Sequence, residues 1–241
     1  MKDNVAVLIS TYDGANDLWE PLEEAYKCYW NDCDFPIFLT SNHRSFESDL
    51  FRPLQIGKEK SWSDNILKSL DKINAKYVLL TFDDLFLNKK VDNSFIMRQC
   101  QWALDNNVDY LQFTKSVGAK QEFTREILKK NLSTEYRNAT VFSLWNVEVL
   151  RSLLVDSENA WEFETKGNNR CRDLPHFYST KKAGFSYLNG VVKGKWNPVV
   201  KNKLVKAGYN ISPQRKSFSM LQLIKYEVIK AAYTFKRGCV K

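Results

Sequence analysis

The sequence predicts an α/β protein, with one sheet-centred domain over residues 1–213, flanked by helices, and a basic amphipathic helix over 214–241. Three observations carry that prediction. Apolar runs at 5–10, 35–40 and 77–82 alternate with two helix-spaced segments, the order of a doubly wound sheet. The run at 77–82, YVLLTF, is almost wholly apolar, as a strand covered on both faces must be. It delivers two adjacent carboxylates, Asp83 and Asp84, at the strand end where such sheets place ligands.

Length and composition agree with one ordered domain. At 241 residues and 44% hydrophobic content, the chain supports a full core and is unlike a disordered polymer. The apolar run at 5–10 is too short for a secretory signal, and no window approaches the roughly 20 apolar residues of a membrane span. The expected location is therefore cytoplasmic. Cys28, Cys33, Cys100, Cys171 and Cys239 lack zinc-type spacing and read as free thiols. With His43 and His176 the only histidines, a histidine-rich metal centre is disfavoured. The net charge of +8 is uneven: from Val191 onward twelve Lys or Arg face one acid, Glu227, leaving 1–190 acidic overall. The tail thus carries the affinity for anionic surfaces.

Taken in order, residues 5–10 form the first buried strand, and Thr11, Tyr12, Asp13 and Gly14 lead into a helix over 17–30 with Leu18, Leu22, Ala25, Tyr26 and Tyr29 at helical spacing. A polar loop after a first strand commonly makes the base and ribose end of a nucleotide site. Thr11, Tyr12 and Asp13 are candidates for it, although Asp13 followed by Gly14 is equally a turn. The second strand, 35–40, exits through Ser41, Asn42 and His43, which either line the same pocket or only turn the chain. The helix over 62–73 puts Trp62, Ile66, Leu70 and Ile73 on one face behind a capping Ser61 or Ser63.

Asp83 and Asp84 raise each other's pKa unless a cation or donor sits between them. A magnesium or manganese ion, which binds few protein ligands and completes its shell with substrate phosphate, is the economical partner. A solvated loop or a helix cap is the plain alternative. No GxGxxG follows the first strand and no GxxxxGK[ST] occurs, which disfavours a dinucleotide-binding enzyme and a P-loop NTPase.

The second half predicts a helix over 92–106, a strand over 109–113, a polar variable insertion over 115–134 near the acceptor side, a strand over 139–144 and a helix over 146–155. In 159–167, NAWEFETKG, Glu162 and Glu164 alternate with Trp161 and Phe163, so an extended chain would put both acids on one face. An acid beside an indole in a partly dry pocket suits a general base; two exposed glutamates are the alternative. His176 is a third metal ligand, an acceptor contact or structural. Lys193, Gly194 and Lys195 follow a strand-like 185–192 and either fold over a diphosphate or form a solvated turn. In the tail, Leu221, Ile224, Val228, Ala232 and Phe235 make a helical stripe beside Lys225, Lys230, Lys236 and Arg237, suited to an anionic membrane surface or to packing on the domain.

Three pieces carry a resemblance. Trp62, Ser63 and Asp64 leading into YVLLTFDDLFL at 77–87, then NAWEFE at 159–164, then NGVVKGKW at 189–196, resemble in this order bacterial GT-A-type glycosyltransferases of lipopolysaccharide, capsule or other surface polysaccharide synthesis. The similarity covers roughly residues 5–215. It implies a GT-A-like, Rossmann-type mixed sheet and a metal-assisted transferase that uses a nucleotide-sugar donor. Asp83 and Asp84 stand where the family's DxD-type motif stands, although a strict DxD needs an acid at Leu85 or Phe82. The resemblance gives Asp84 and Asp83 to a manganese or magnesium ion, and His176, on its own reading, is the candidate third ligand. It makes Glu164, with Glu162 as substitute, the base of an inverting reaction. Thr11, Tyr12, Asp13, Asn42, Trp62, Asp83, Lys193, Lys195 and Trp196 become donor contacts. The acceptor is a saccharide or a lipid-linked sugar, with the inner-membrane surface as a partner and nucleic acid excluded. Two rivals stand beside this reading. A magnesium-dependent α/β hydrolase or phosphotransferase would need a nucleophile after the first strand, where Asp13 is the one candidate. A nucleic-acid-binding protein would use the tail, but its charge lies at one end and no zinc-finger or RRM pattern occurs.

Overall fold

The computed structural model describes residues 2–114, 121–132, 137–226 and 228. All of β1 (Val5–Ser10) is buried, because both of its faces are covered. A 3-10 turn, Asp13–Leu18, runs into α1 (Trp19–Tyr29), which buries Trp19, Leu22, Ala25 and Tyr26. β2 (Ile37–Ser41) and β3 (Phe51–Gln55) follow. α2 (Trp62–Lys72) begins at Ser61, whose Oγ accepts the Asp64 amide at 3.1 Å, and it buries Ile66 and Leu70. β4 (Tyr77–Phe82) and β5 (Leu85–Leu87) divide the long apolar run between them, with Asp83 and Asp84 as the turn.

α3 (Asn93–Asp105) is capped by Asp92, which accepts the Phe95 amide at 3.0 Å. Next come β6 (Tyr110–Gln112), the pair β7 (Gln121–Glu122) and β8 (Ile127–Lys129), β9 (Ser143–Asn146), α4 (Val147–Leu153) and α5 (Ala160–Arg170). The described chain closes with β10 (Phe177–Thr180), β11 (Tyr187–Asn189), β12 (Val191–Val192), β13 (Lys195–Trp196) and α6 (Pro198–Lys206).

Nine strands form one sheet in the order β3-β2-β1-β4-β9-β6-β10-β8-β7. β3, β2, β1 and β4 are parallel. β9 runs antiparallel between β4 and β6, and β10 returns parallel to β6, so the sheet is mixed. Alternation along β1 feeds two cores: Val5, Val7 and Ile9 face α1 and α3, while Ala6 and Leu8 face α2, α4 and α5. Each fully buried Leu or Ile there contributes about 1.5–3 kcal/mol.

β3 carries Pro53 and lies at the sheet edge, where a missing amide donor is tolerated. Three expectations are corrected. Part of the supposed insertion is the β7–β8 hairpin, while 115–120 and 133–134 fall outside the described residues. Residues 159–167 are not extended; they enter α5, whose capping box joins Asn159 and Glu162. The strand-like 185–192 breaks at Gly190: β11 pairs with β5, and β12 pairs with β13 through a two-residue turn. Both turn residues, Lys193 at φ 48° and Gly194 at φ 74°, are left-handed, as a type I′ hairpin requires. Of the C-terminal helix, residues 220–226 and 228 are helical; Ala232, Phe235, Lys230, Lys236, Arg237 and Cys239 lie outside the described residues.

Candidate active site

The Asp83 and Asp84 turn sits on a built floor. Gly190 donates its amide to the Asp84 carbonyl at 2.7 Å, and beneath it Phe86 stacks on Trp196 with ring centroids 5.6 Å apart. A Cβ on Gly190 would overlap the Phe86 ring, so only glycine lets this strand come so close. Trp196, expected to touch a donor, is instead fully buried in that floor.

Thr11, at the end of β1, receives the Trp19 indole N–H at 2.9 Å and donates its own hydroxyl to an Asp83 carboxylate oxygen. Burial, reinforced by the Asp84 charge and opposed by Thr11 and Arg215, pushes the Asp83 carboxyl up to about 7. Burial likewise lifts Asp84 to about 6, against its own backbone amide and Arg215. Arg215 was not foreseen. Its Nε and Nη2 donate to Asp17 at 2.8 and 2.6 Å, its Nη1 to the Gly194 carbonyl at 3.2 Å, and its Nη2 to the Gly14 carbonyl at 3.4 Å.

The loop after β1 is tied to the loop after β2. The Asp13 carboxylate accepts the backbone amides of Asn42, His43 and Arg44 at 2.9, 3.1 and 3.2 Å. Burial raises its pKa, but these three donors outweigh burial and hold it below the ordinary range. Asn42 accepts the Asp13 amide at 3.1 Å and donates to Glu59, which also accepts from Asn65 at 2.7 Å. Asn65 in turn donates to the Thr11 carbonyl at 3.0 Å. Tyr12 stands free at 48% exposure. Trp62 donates its indole N–H to Ser10 at 3.1 Å and packs between Phe82 and Phe163.

Glu164 reaches the same edge of the sheet. Ser143, the first residue of β9, pairs with Leu80, so the chain enters β9 from the side of the sheet where β4 ends, and Thr140 lies three residues before that entry. Phe142 adopts φ 44°, a left-handed kink rare for an aromatic residue, just where the chain turns into β9. Thr140 then donates its amide and hydroxyl to one Glu164 oxygen at 2.6 and 2.7 Å. Burial raises the Glu164 pKa, opposed by Thr140 and Lys130. Tyr187 joins the two halves: burial raises its phenol, and the charges of Glu164 and Asp84 both add to the rise.

Three other expectations do not hold together at this edge. Glu162 is two helical positions from Glu164, about 200° around α5, and it is engaged by Asn159 and by Lys166 at 2.8 Å. Lys166 holds its pKa down, so it is a capping acid rather than a substitute base. His176 lies at the wrong end of the sheet. Phe177 is in register with Tyr110, Tyr110 with Trp145 and Trp145 with Val78. His176 is therefore level with Tyr77, about 20 Å along the strand from Asp83, and cannot share its metal. Lys193 and Lys195 place their ammonium groups over Tyr226 and Phe218, 5.7 and 5.5 Å from the ring centroids.

The pair itself suits a hard divalent cation. Among the described residues, Asp84 accepts only its own amide and Asp83 commits one oxygen to Thr11, which leaves carboxylate oxygens open. No third acid, histidine or cysteine among the described residues completes a protein cage, so further ligands would be water and substrate. A separate open groove of about 500 Å³, lined by Glu23, Lys27 and residues of 45–53, contains none of these side chains.

No protein-family model matches the chain, and no curated protein matches its sequence. Solved structures do share its architecture. S. aureus TarS 1-349 in complex with UDP aligns at TM-score 0.50 and 12% identity, covering 84% of this chain and 63% of that one. The mannosyltransferase PcManGT from Pyrobaculum calidifontis, in complex with GDP-Man and Mn²⁺, aligns at 0.50 and 12%, covering 79% and 58%. An apo UDP-glucose pyrophosphorylase aligns at 0.50 and 5%, covering 77% and 92%. The fold is GT-A-like. At these identities the likeness is one of fold, and the chain spans about three fifths of the length of the TarS 1-349 chains, 59% and 63%.

Asp17, Glu59, Asn65, Thr140, Tyr187 and Arg215 complete this edge and were missed. Asp17 and Arg215 are 198 positions apart, and no spacing rule reaches that far. Asn65 did carry a signal, as a polar residue in the first turn of a helix that points at the strand ends.

Proposed function

We propose that this protein is a metal-assisted glycosyltransferase, moving a sugar from a nucleotide-sugar donor to a saccharide or lipid-linked acceptor in bacterial surface polysaccharide synthesis, with inversion at the anomeric carbon. One observation carries the reading: an open carboxylate pair and a buried, raised-pKa glutamate stand at one sheet edge, with the Tyr187 phenol in electrostatic reach of both. Asp84 with Asp83 would hold a divalent ion, which supplies charge neutralisation for the departing diphosphate. Tyr12, Thr11 and the Asn42, Glu59, Asn65 network line the base and ribose end. Glu164, oriented by Thr140, takes the proton of the attacking hydroxyl. Asp13 is committed to three backbone amides, which speaks against the hydrolase reading that needs it as nucleophile. The exposed stripe Leu221, Ile224 and Val228, within the basic tail, supports attachment to an anionic membrane surface, where a lipid-linked acceptor would be met.

The test is a thermal-shift screen against UDP, GDP, CMP and dTDP with and without Mn²⁺, since a ligand of the folded state raises the melting temperature. One nucleotide giving a metal-dependent rise, lost in Asp84→Asn, is the expected result. No rise with any nucleotide would overturn the reading.

A further inference from the structure

We infer that Arg215 is a diphosphate-binding side chain of the donor site and that Asp17 is the residue that positions it; this rests on the nucleotide-sugar reading above. Three segments distant in sequence meet at this guanidinium: the turn Asp13–Leu18, the Lys193 and Gly194 hairpin turn, and the stretch after α6. The ion pair is shielded, with side-chain exposures of 11% for Arg215 and 7% for Asp17. Asp17 takes the Nε and Nη2 hydrogens side by side, which fixes the plane of the fork and leaves Nη1 on the outer side. Nη1 makes one bond among the described residues, to Gly194 at 3.2 Å, and its second hydrogen remains for an incoming oxygen.

Connectivity makes the same assignment. Arg215 bonds the Gly194 turn, four residues after Gly190, whose amide holds the Asp84 carbonyl, and the Gly14 carbonyl, three residues after Thr11, whose hydroxyl holds Asp83. The fork thus joins the two segments that frame the carboxylate pair. The lysines that the sequence offered for this duty lean instead on the Tyr226 and Phe218 rings. Asp17 neutralises Arg215, while the carboxylate pair retains the charge that one divalent ion balances. A planar, always-charged fork beside that ion fits phosphate oxygens better than a point charge. Asp17 does not touch the donor; its role is to keep the fork from swinging onto Asp83 or Asp84.

The experiment measures binding of the full chain with Mn²⁺ to the nucleoside diphosphate that wild type selects, and to the matching free nucleoside by ligand-observed NMR. Arg215→Gln should lose about tenfold or more in diphosphate affinity, with nucleoside binding unchanged. Arg215→Lys, which keeps the charge without the fork, should fall between, and Asp17→Asn should lose diphosphate affinity by a smaller factor. Melting of each ligand-free variant is read first; if Arg215→Gln does not fold, Arg215→Lys and Asp17→Asn decide. Diphosphate affinity equal to wild type in the folded variants overturns the inference alone. Equal losses for nucleoside and diphosphate overturn it too, since they mark a merely structural contact. A wild type that binds no nucleotide at all removes the parent reading instead.

Discussion

Asp83 and Asp84 are held where burial favours the protonated form, reinforced at Asp83 by the Asp84 charge, and the direction of that bias decides their pH behaviour. Each carboxyl lies above its ordinary value of 3.8, at about 7 and about 6 in the fold. Between roughly pH 4 and 7 the native state therefore binds more protons than the unfolded chain, so metal-free stability falls as pH rises through that window. Asp83→Asn should remove much of this slope and raise the metal-free melting temperature at pH 8 by about 2–6 °C. Mn²⁺ competes with the same protons, and its stabilising shift should grow from pH 5.5 to pH 8. A metal-free melting temperature that climbs with pH across this range would contradict the assignment. Glu164→Gln should lower the turnover of donor about 10²–10⁴-fold while leaving nucleotide affinity intact. Thr140→Ala withdraws the hydroxyl hydrogen bond that favours the ionised form while keeping the amide one, so the acid limb of the pH–rate profile should move to higher pH.

At the scale of elements, the site depends on one that was hard to see. α5 brings Glu164 to the sheet edge, and Asn159 starts it by accepting the Glu162 amide at 2.9 Å. Asn159→Ala should cost about 1 kcal/mol, a fall of about 2–4 °C in melting temperature, with nucleotide binding retained; a loss of binding would show that the cap itself shapes the donor site. β4 and α2 were legible because long runs of one period leave little choice. α5 was not, because Trp161 to Glu164 alternates over four residues and imitates a strand. The Asn-x-x-Glu capping box was the stronger signal there, and it was outweighed by the alternation. β3 hid behind Pro53, and β10 behind its brevity, so the sheet was read as far narrower than its nine strands.

Across the whole molecule, the carboxylate pair was readable because topology alone sends a buried parallel strand's carboxyl end to a binding edge. Arg215, Tyr187 and Thr140 were not, since their meeting depends on the full path of the chain. Charge distribution is the one global property that sequence displays directly, and it yields the last prediction. In the tail, Leu223 packs inward at 7% exposure, while Leu221, Ile224 and Val228 stand 80%, 56% and 63% exposed on the other face. That outward stripe lies within the stretch where twelve cations face one acid. Such a surface loses little by staying in water but gains on an anionic bilayer, about 1 kcal/mol per basic residue near the surface besides apolar insertion. The full chain should therefore float with phosphatidylglycerol-containing vesicles and not with phosphatidylcholine alone. Binding should weaken in high salt, because the attraction is screened beyond about 10 Å at 0.1 M. Leu221→Asp with Ile224→Asp should release the protein without changing its nucleotide affinity, as neither side chain touches the donor edge. Equal flotation with both lipids, or binding unmoved by the double substitution, would show that the basic stripe is not what attaches the chain.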